Sequence, residues 1–134
     1  MPDPKKVIEE GTDLKLQFEK RGGLLPVAVQ ESSSGRILMI ASVNREAMAH
    51  TLETGQAAFW STSRNELWIK GLTSGNTLIL DEVLVDCDQD ALVYKVTLEG
   101  EGVCHTRRKD NKHRKACFYR KLNLNTQKLE FKDE

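Results

Sequence analysis

The stretch Thr77–Leu98, with the sequence TLILDEVLVDCDQDALVYKVTL, decides the fold class of this chain. Its two ends, Thr77–Val85 and Ala91–Leu98, are short runs of β-branched and apolar residues, the composition that β-strands favour. The polar segment Asp86–Asp90 separates them. The stretch therefore predicts two successive strands.

Outward from this stretch, most of the chain has the same strand-like rhythm, with Gly, Ser, Asn and Asp between short apolar runs. The main exception is Arg45–Thr54, for which Asn44 is a suitable N-cap and Gly55 a C-terminal stop, so that a helix is predicted there. The further predicted strands are Leu14–Phe18, Pro26–Gln30, Arg36–Val43, Ala57–Ser61, Glu66–Lys70, Cys117–Leu124 and Lys128–Lys132.

These elements predict an α+β fold: a strand-dominated single domain with one main helix. A chain of 134 residues with 39% hydrophobic residues can bury one core and is too short for a second. Residues 1–13 are polar and charged and are predicted to be an N-terminal lead-in with a short helix over Lys5–Glu10. Residues 14–134 are predicted to be the domain.

The charge balance excludes some classes of partner. Lys and Arg number 20, as do Asp and Glu, so the formal net charge is zero. No field of the whole protein would then attract nucleic acid or a membrane surface. The sequence also lacks a signal peptide and any apolar run of about 18 residues, so we expect a cytoplasmic protein without a membrane partner.

The segment Asp86–Asp90 carries metal-ligand side chains of two kinds. Side chains alternate between faces along an extended strand, so Asp86, Asp88 and Asp90 are expected on one face and Cys87 on the other. Carboxylates suit Mg²⁺ or Ca²⁺, whereas a thiolate suits Zn²⁺. The segment therefore predicts ligands for two different metal sites.

The three cysteines, Cys87, Cys104 and Cys117, are an odd number, which argues against a closed set of disulfides. They are either zinc ligands or small buried core residues, and the absence of a Cys-x-x-Cys pair leaves both interpretations open. Three thiolates would leave the fourth position of zinc open to water, as in catalytic sites. Such a centre is net negative and needs a nearby base, for which His105 is the candidate.

Several motifs, in the same order along the chain, resemble those of phosphoribosyl-AMP cyclohydrolases. The most specific is FWSTSRNELWIK at Phe59–Lys70, followed directly by GLTSGN at Gly71–Asn76. The others are the strand-to-helix segment Leu38–Met48, DCDQDAL at Asp86–Leu92, CHT at Cys104–Thr106 and CFY at Cys117–Tyr119.

This resemblance implies a cytoplasmic homodimer that opens the adenine ring of phosphoribosyl-AMP by hydrolysis of the N1–C6 bond, the third step of histidine biosynthesis, with Zn²⁺ and Mg²⁺. Cys87 would reach across the dimer to a zinc ion shared with the other two cysteines, and the metal sites would thus be completed in the homodimer. The implied roles are zinc ligation by Cys87, Cys104 and Cys117, magnesium ligation by Asp86, Asp88 and Asp90, and proton transfer by His105.

A nucleotide with two phosphates needs cations, hydroxyl donors and stacking surfaces. Three of the candidates have alternatives: Trp60 and Trp68 lie on predicted strands and suit the core equally well, and Arg64 suits a solvated turn. The candidate substrate contacts in the motifs are Trp60, Ser61, Arg64, Trp68, Lys70, Thr73, Ser74 and Asn76.

The chain departs from the family pattern between its last two cysteines, where relatives usually have a shorter Cys-His-Thr-Gly turn. The insertion 107–115 carries six Lys or Arg against one Asp. It either clamps a substrate phosphate or forms a solvated face, and a nucleic-acid patch is not expected. Leu72 replaces a common Glu, and Ser42 replaces an aromatic residue.

Two other functions compete with the cyclohydrolase hypothesis. A paralogue acting on another purine nucleotide is favoured by the insertion and by Leu72. A non-enzymatic zinc-binding module is disfavoured, because a structural zinc site needs four ligands and no aspartate cluster.

Overall fold

A computed structural model gives the fold and describes residues 3–132. None of the helices among these residues combines the length and the hydropathy that a membrane-spanning segment requires. The helices are α1 (Pro4–Glu10), a 3₁₀ helix (Phe18–Arg21) and α2 (Arg45–Thr54). The strands are β1 (Leu25–Glu31), β2 (Ile37–Val43), β3 (Ala58–Ser61), β4 (Glu66–Ile69), β5 (Leu78–Val85), β6 (Leu92–Leu98), β7 (Arg120–Leu122) and β8 (Leu129–Phe131).

Four strands form the central sheet, in the order β2-β1-β6-β5. β1 pairs antiparallel with β2, and β5 with β6, because a short turn joins the strands of each pair. The two hairpins meet through parallel pairing of β1 with β6. β3 and β4 form a separate hairpin, as do β7 and β8. The prediction of a strand-dominated α+β fold is confirmed, with the short helix α1 beside the main helix α2.

The core lies where α2 and β3 pack against the central sheet. Alternate residues of β1, namely Leu25, Val27 and Val29, are fully buried, as expected for a strand with one face on the core. Tyr94 of β6 and Phe59 of β3 are fully buried too, and their ring centroids lie 6.0 Å apart. Each such side chain contributes roughly 1.5–3 kcal/mol by leaving water, so packing rather than local propensity stabilises these short elements.

Helix α2 has the boundaries that its capping residues predict. The side chain of Asn44 accepts a hydrogen bond from Ala47 N (2.9 Å), which satisfies one of the free N–H groups of the first turn. Gly55 ends the helix with a φ of 74° in the left-handed region. Ala47, Met48 and Thr51 form its buried face.

The prediction of a strand over Leu14–Phe18 is wrong. Residues 14–17 form an irregular segment, and Phe18 begins the 3₁₀ helix. Their backbone donors bond to Gln89 instead of to a neighbouring strand: Lys15 N donates to Gln89 Oε1 (2.7 Å) and Gln17 N to Gln89 O (2.8 Å). A polar turn far along the chain therefore determines the path of this segment.

The predicted strand Cys117–Leu124 is confirmed only in its middle, as β7. Cys117 N donates to Leu38 O (2.7 Å), so the chain is held against β2 at its start. The other predicted strands are confirmed, with small shifts at their ends.

The loop that follows β4 depends on Gly71. Its φ is 84°, and a Cβ there would overlap the backbone of Asn76 and Thr77. Gly71→Ala is therefore expected to lower the free energy of unfolding by about 2 kcal/mol or more, measured by urea titration. Gly75→Ala is the matched control, because its φ of 80° carries the same backbone strain while no atom lies within 4 Å of its Cβ. Equal losses at the two positions would contradict the steric explanation.

Candidate metal centre and substrate cleft

A cleft of about 340 Å³ opens between the loop after β4 and the segment 102–113. A second hollow of about 450 Å³ adjoins it, since both are lined by Arg64, Trp68 and His105. Volumes of this size are typical of sites for small-molecule ligands. The two together form the candidate substrate cleft.

Two of the three cysteines meet beside this cleft. Cys104 lines it and is buried, and its Sγ lies 2.9 Å from Thr106 Oγ1. Val103 N donates to Lys115 O (3.1 Å), so the backbone brings Cys117 next to Cys104, and the Cys104 thiol raises the pKa of the Cys117 thiol. The two thiols are therefore neighbours and are candidate ligands of one metal ion.

The insertion 107–115 does not separate the two cysteines, because it folds back on itself. Within it, Arg108 N donates to Lys112 O (2.9 Å). At its base, Cys104 N donates to Arg114 O (3.2 Å). These bonds close the insertion as a hairpin-like loop and return the chain to the point where it left.

The environment of the thiol pair favours binding of a cation. Cys117 is exposed as a residue, but loss of solvation around its thiol raises the pKa to about 11, and the adjacent Cys104 thiol acts in the same direction. The charge of Lys70 opposes this increase. Cys117 thus stays protonated at neutral pH unless a cation replaces the proton, and two adjacent sulfur ligands fit Zn²⁺.

The prediction that Cys87 points away from the neighbouring aspartates is wrong. Residues 86–90 form a turn rather than an extended strand, closed by a hydrogen bond from Asp90 N to Asp86 Oδ1 (2.9 Å). Faces do not alternate in a turn as they do in a strand. The turn consequently brings three ligand atoms within 4.8 Å of one another, one each from Asp86, Cys87 and Asp88.

The third aspartate of this turn, Asp90, has cationic partners from the 3₁₀ helix. Its Oδ2 lies 2.9 Å from Lys20 Nζ and 3.2 Å from Arg21 Nη2. Lys20 Nζ also lies 2.8 Å from Asp88 Oδ2. The hydrogen bond from Lys20 holds the pKa of Asp90 well below its usual range, whereas burial raises the pKa of Asp86. The aspartate cluster therefore has its own counter-charge within the chain.

Cys87 lies apart from the other two cysteines. It is exposed and lines a hollow of about 300 Å³ with N-terminal residues such as Ile8 and Asp13. Within the described range 3–132, the compact group of three ligand side chains is the one that Cys87 forms with Asp86 and Asp88. The three cysteines therefore do not form one compact ligand group within that range.

Comparison with known proteins identifies the family. The profile of the phosphoribosyl-AMP cyclohydrolase family matches residues 39–119, which is more than half of the chain. The chain belongs to the phosphoribosyl-AMP cyclohydrolase family. It is 48% identical over 110 residues to the phosphoribosyl-AMP cyclohydrolase of Desulfotalea psychrophila (81% of this chain, 82% of that one). It is 46% identical over 122 residues to that of Brucella anthropi (90% and 82%).

A third relative, the phosphoribosyl-AMP cyclohydrolase of Desulfatibacillum aliphaticivorans, is 49% identical over 107 residues, covering 80% of this chain and 81% of the relative. The resemblance drawn from the sequence motifs is thereby confirmed. The prediction of a hydrolase is confirmed with it.

Most candidate substrate contacts of this cyclohydrolase chain surround the cleft. Trp60 lines neither hollow and is half-buried on β3, whereas Trp68 is 39% exposed and faces both. Ser61 lines the adjoining hollow. The candidates that line the main cleft are Arg64, Trp68, Lys70, Thr73, Ser74 and Asn76, together with His105.

Two of these cleft residues have structural contacts of their own. Asn76 is buried, and its Oδ1 accepts a hydrogen bond from Glu101 N (2.8 Å). Lys70 is 9% exposed, and its Nζ donates to Val103 O (2.5 Å). Their roles as substrate contacts stay predictions, while their part in holding the cleft walls together is visible in these bonds.

The family motifs did not reveal every residue at the two sites. His113 lines the cleft, and its Nδ1 lies 2.8 Å from Cys104 O. The sequence signal that could have predicted this contact is that His113 belongs to the insertion, which lies between two cysteines. The partnership of Lys20 with Asp88 had no comparable sequence signal, because the two residues are 68 positions apart.

The cations of the basic insertion are partly engaged within the protein. Arg114 lies over the ring of Tyr119, 4.2 Å from its centroid. Lys115 Nζ lies 2.8 Å from the carboxylate of the buried Glu31. These contacts favour a structural role for part of the loop, and the phosphate clamp stays a prediction.

Proposed function

We propose that this chain hydrolyses the N1–C6 bond of phosphoribosyl-AMP, opening the adenine ring in the third step of histidine biosynthesis. The observation that carries the proposal is the pairing of the Cys104 and Cys117 thiols beside a cleft lined by family-motif residues. A thiol pair in a polar cleft suits metal-assisted hydrolysis better than it suits a structural site, which would need four ligands.

The zinc centre would be held by Cys104 and Cys117 of one subunit and by Cys87 of a second copy. The support is the chemistry of the donors: two neighbouring thiols beside the cleft, and a third cysteine that is exposed on another part of the chain. When bound, zinc would supply the Lewis acidity that makes water nucleophilic at neutral pH.

Magnesium would be held at the aspartate turn, by Asp86, Asp88 and Asp90. Asp86 and Asp88 have ligand oxygens in one compact group, which suits a hard cation. Asp90 would have to exchange its ion pairs with Lys20 and Arg21 for the metal. Bound magnesium would supply positive charge for a substrate phosphate.

The residues of the cleft would orient the nucleotide and move the proton. His105 is exposed in the cleft next to Cys104 in sequence, and we assign to it the transfer of a proton from the attacking water to N1 as the C6–N1 bond breaks. The exposed ring of Trp68 offers a stacking surface for the purine. The roles proposed for the other exposed or lining residues are contacts to the phosphates and ribose, by Ser61, Arg64, Thr73, Ser74 and Asn76, with Trp60 beside them on β3.

The active form would be a cytoplasmic homodimer. Its support is that Cys87 and Cys104 line different hollows, together with the apolar side chains that the C-terminal hairpin exposes. Leu122, Leu129 and Phe131 are each more than half exposed in the single chain, which a partner surface would cover.

The experiment that tests the function is turnover of phosphoribosyl-AMP by the purified protein with Zn²⁺ and Mg²⁺, repeated after chelation. We expect turnover that chelation abolishes and that added zinc restores. Turnover that is unchanged in a protein shown to be metal-free would contradict the metal centre. A folded, zinc-loaded dimer without turnover would contradict the substrate.

One observation favours a second candidate, a paralogue that hydrolyses another purine nucleotide. Leu72 lines the cleft and is 71% exposed, at a position where relatives commonly carry Glu. The same assay with other purine nucleotides distinguishes the two, because a paralogue would turn over one of them faster than phosphoribosyl-AMP.

A further inference from the structure

Lys70 is a buried cation at the end of β4. It is 9% exposed, its Nζ donates to Val103 O (2.5 Å), and Nζ lies 5.1 Å from the centroid of the Trp68 ring. These contacts fix the ammonium group between β4 and the segment that carries Cys104. The side chain is thus positioned by the fold before any ligand binds.

No carboxylate forms an ion pair with Lys70 among residues 3–132. A buried charge without a counter-charge is costly, because the interior replaces the lost hydration poorly. Burial accordingly lowers the pKa of Lys70, and the nearby Cys117 and Cys104 act in the opposite direction. Because Lys70 Nζ is bonded to the carbonyl of Val103, the residue before Cys104, the thiols of the metal centre are the groups that can compensate the ammonium.

We propose that Lys70 is a positioning residue of the metal centre: its ammonium group supplies the positive charge that balances the thiolates of Cys104 and Cys117 when the metal is bound. The inference rests on the proposed zinc centre and deepens it. Three thiolates around one dication leave a net charge of about −1, and one buried ammonium brings the total to zero. Lys70 would then act on the metal ligands and not on the substrate phosphates.

The geometry explains why a substrate role suits Lys70 less well than it suits Arg64. Arg64 is exposed in both hollows, whereas the ammonium of Lys70 is buried and bonded to the backbone next to a metal ligand. A phosphate would have to displace that hydrogen bond and enter the interior beside two thiolates. Like charges would oppose this approach.

The test is the zinc affinity of the full-length protein, measured by competition with a chelator, for four variants. Lys70→Met keeps the length of the side chain without its charge, Lys70→Gln keeps a donor for Val103 O without charge, and Lys70→Arg keeps the charge. Lys95→Met on β6 is the control for a general change of net charge, since Lys95 pairs with Glu82 (3.9 Å) away from the cleft.

We expect both neutral variants to raise the zinc dissociation constant about 10- to 100-fold, with Lys70→Arg and Lys95→Met within about threefold of the wild type. Cobalt substitution gives a second readout, because loss of a cation near the sulfurs moves the thiolate-to-metal charge-transfer band to longer wavelength. Circular dichroism verifies that the variants are folded, and if Lys70→Met does not fold, Lys70→Gln carries the test.

Unchanged zinc affinity in a folded neutral variant would overturn the inference and leave the proposed function intact. A rise in KM for the nucleotide with unchanged zinc affinity would overturn it too and would assign Lys70 to the substrate. Failure of the wild-type protein to bind zinc through its cysteines would overturn the metal centre itself, and this inference with it.

Discussion

Replacement of Cys104 by serine is expected to reduce the turnover of phosphoribosyl-AMP by about a thousandfold or more and to leave the subunit folded. A metal ion stabilises a hydrolytic transition state by several kcal/mol, and each ~1.36 kcal/mol is tenfold in rate. The serine hydroxyl stays protonated at neutral pH and is a poor zinc ligand. It can still bond to Thr106 Oγ1, which lies 2.9 Å from the sulfur, so stability should change by only about 1 kcal/mol.

The measurements are turnover, zinc content by elemental analysis and thermal unfolding of the same preparation. Thr106→Val is the matched control, because it removes the hydroxyl beside the sulfur but keeps the thiol; we expect it to retain its zinc. Full turnover by a Cys104→Ser protein that contains no zinc would disprove the zinc mechanism. Loss of the folded structure in that variant would instead mean that Cys104 is needed for packing.

Mixing two inactive variants is expected to restore activity if the zinc centre is shared between subunits. Cys87→Ser and Cys104→Ser each damage both centres of a homodimer. In a heterodimer the two substitutions fall in the same centre, so the other centre is intact. Random reassortment of equal amounts of the two variants gives heterodimers in half of the molecules. Each heterodimer has one intact centre of two, so total turnover should recover to about a quarter of the wild-type value.

The measurement is turnover after the two variants have been unfolded and refolded together. Cys104→Ser mixed with Cys117→Ser is the matched control: both residues come from the same side of the centre, so that each heterodimer has both centres damaged. No recovery in the first mixture would show that Cys87 does not complete the centre of a partner. Equal recovery in both mixtures would contradict the proposed division of ligands.

The main helix and the strands followed from local sequence, because the signals that specify them lie within a few residues. Asn44 and Gly55 fixed the ends of α2, and the apolar runs of β5 and β6 fixed the central hairpin. The segment Leu14–Phe18 was mispredicted because its alternation of apolar residues is a strand signal only where a partner strand exists. Here its partner is Gln89, whose contacts with the segment no local pattern reveals.

At the candidate site, the sequence identified the ligand types but not how they are grouped. The three cysteines and the aspartate run were recognisable from residue chemistry and from the family motifs. The grouping of Cys87 with Asp86 and Asp88 depended on whether residues 86–90 are a strand or a turn. That choice is made by hydrogen bonds such as the one from Asp90 N to Asp86 Oδ1.

The sequence by itself determined the family, the strand-dominated α+β class, the capped helix and the identity of the side chains able to bind metals, because each is carried by residues close together in the chain. The tertiary structure alone decided that Cys104 and Cys117 meet despite the insertion between them, and that Lys70 is buried beside them without a carboxylate among the described residues. It also paired Lys20 with the aspartate turn. These contacts join distant segments, and only the packing of the whole domain brings those segments together.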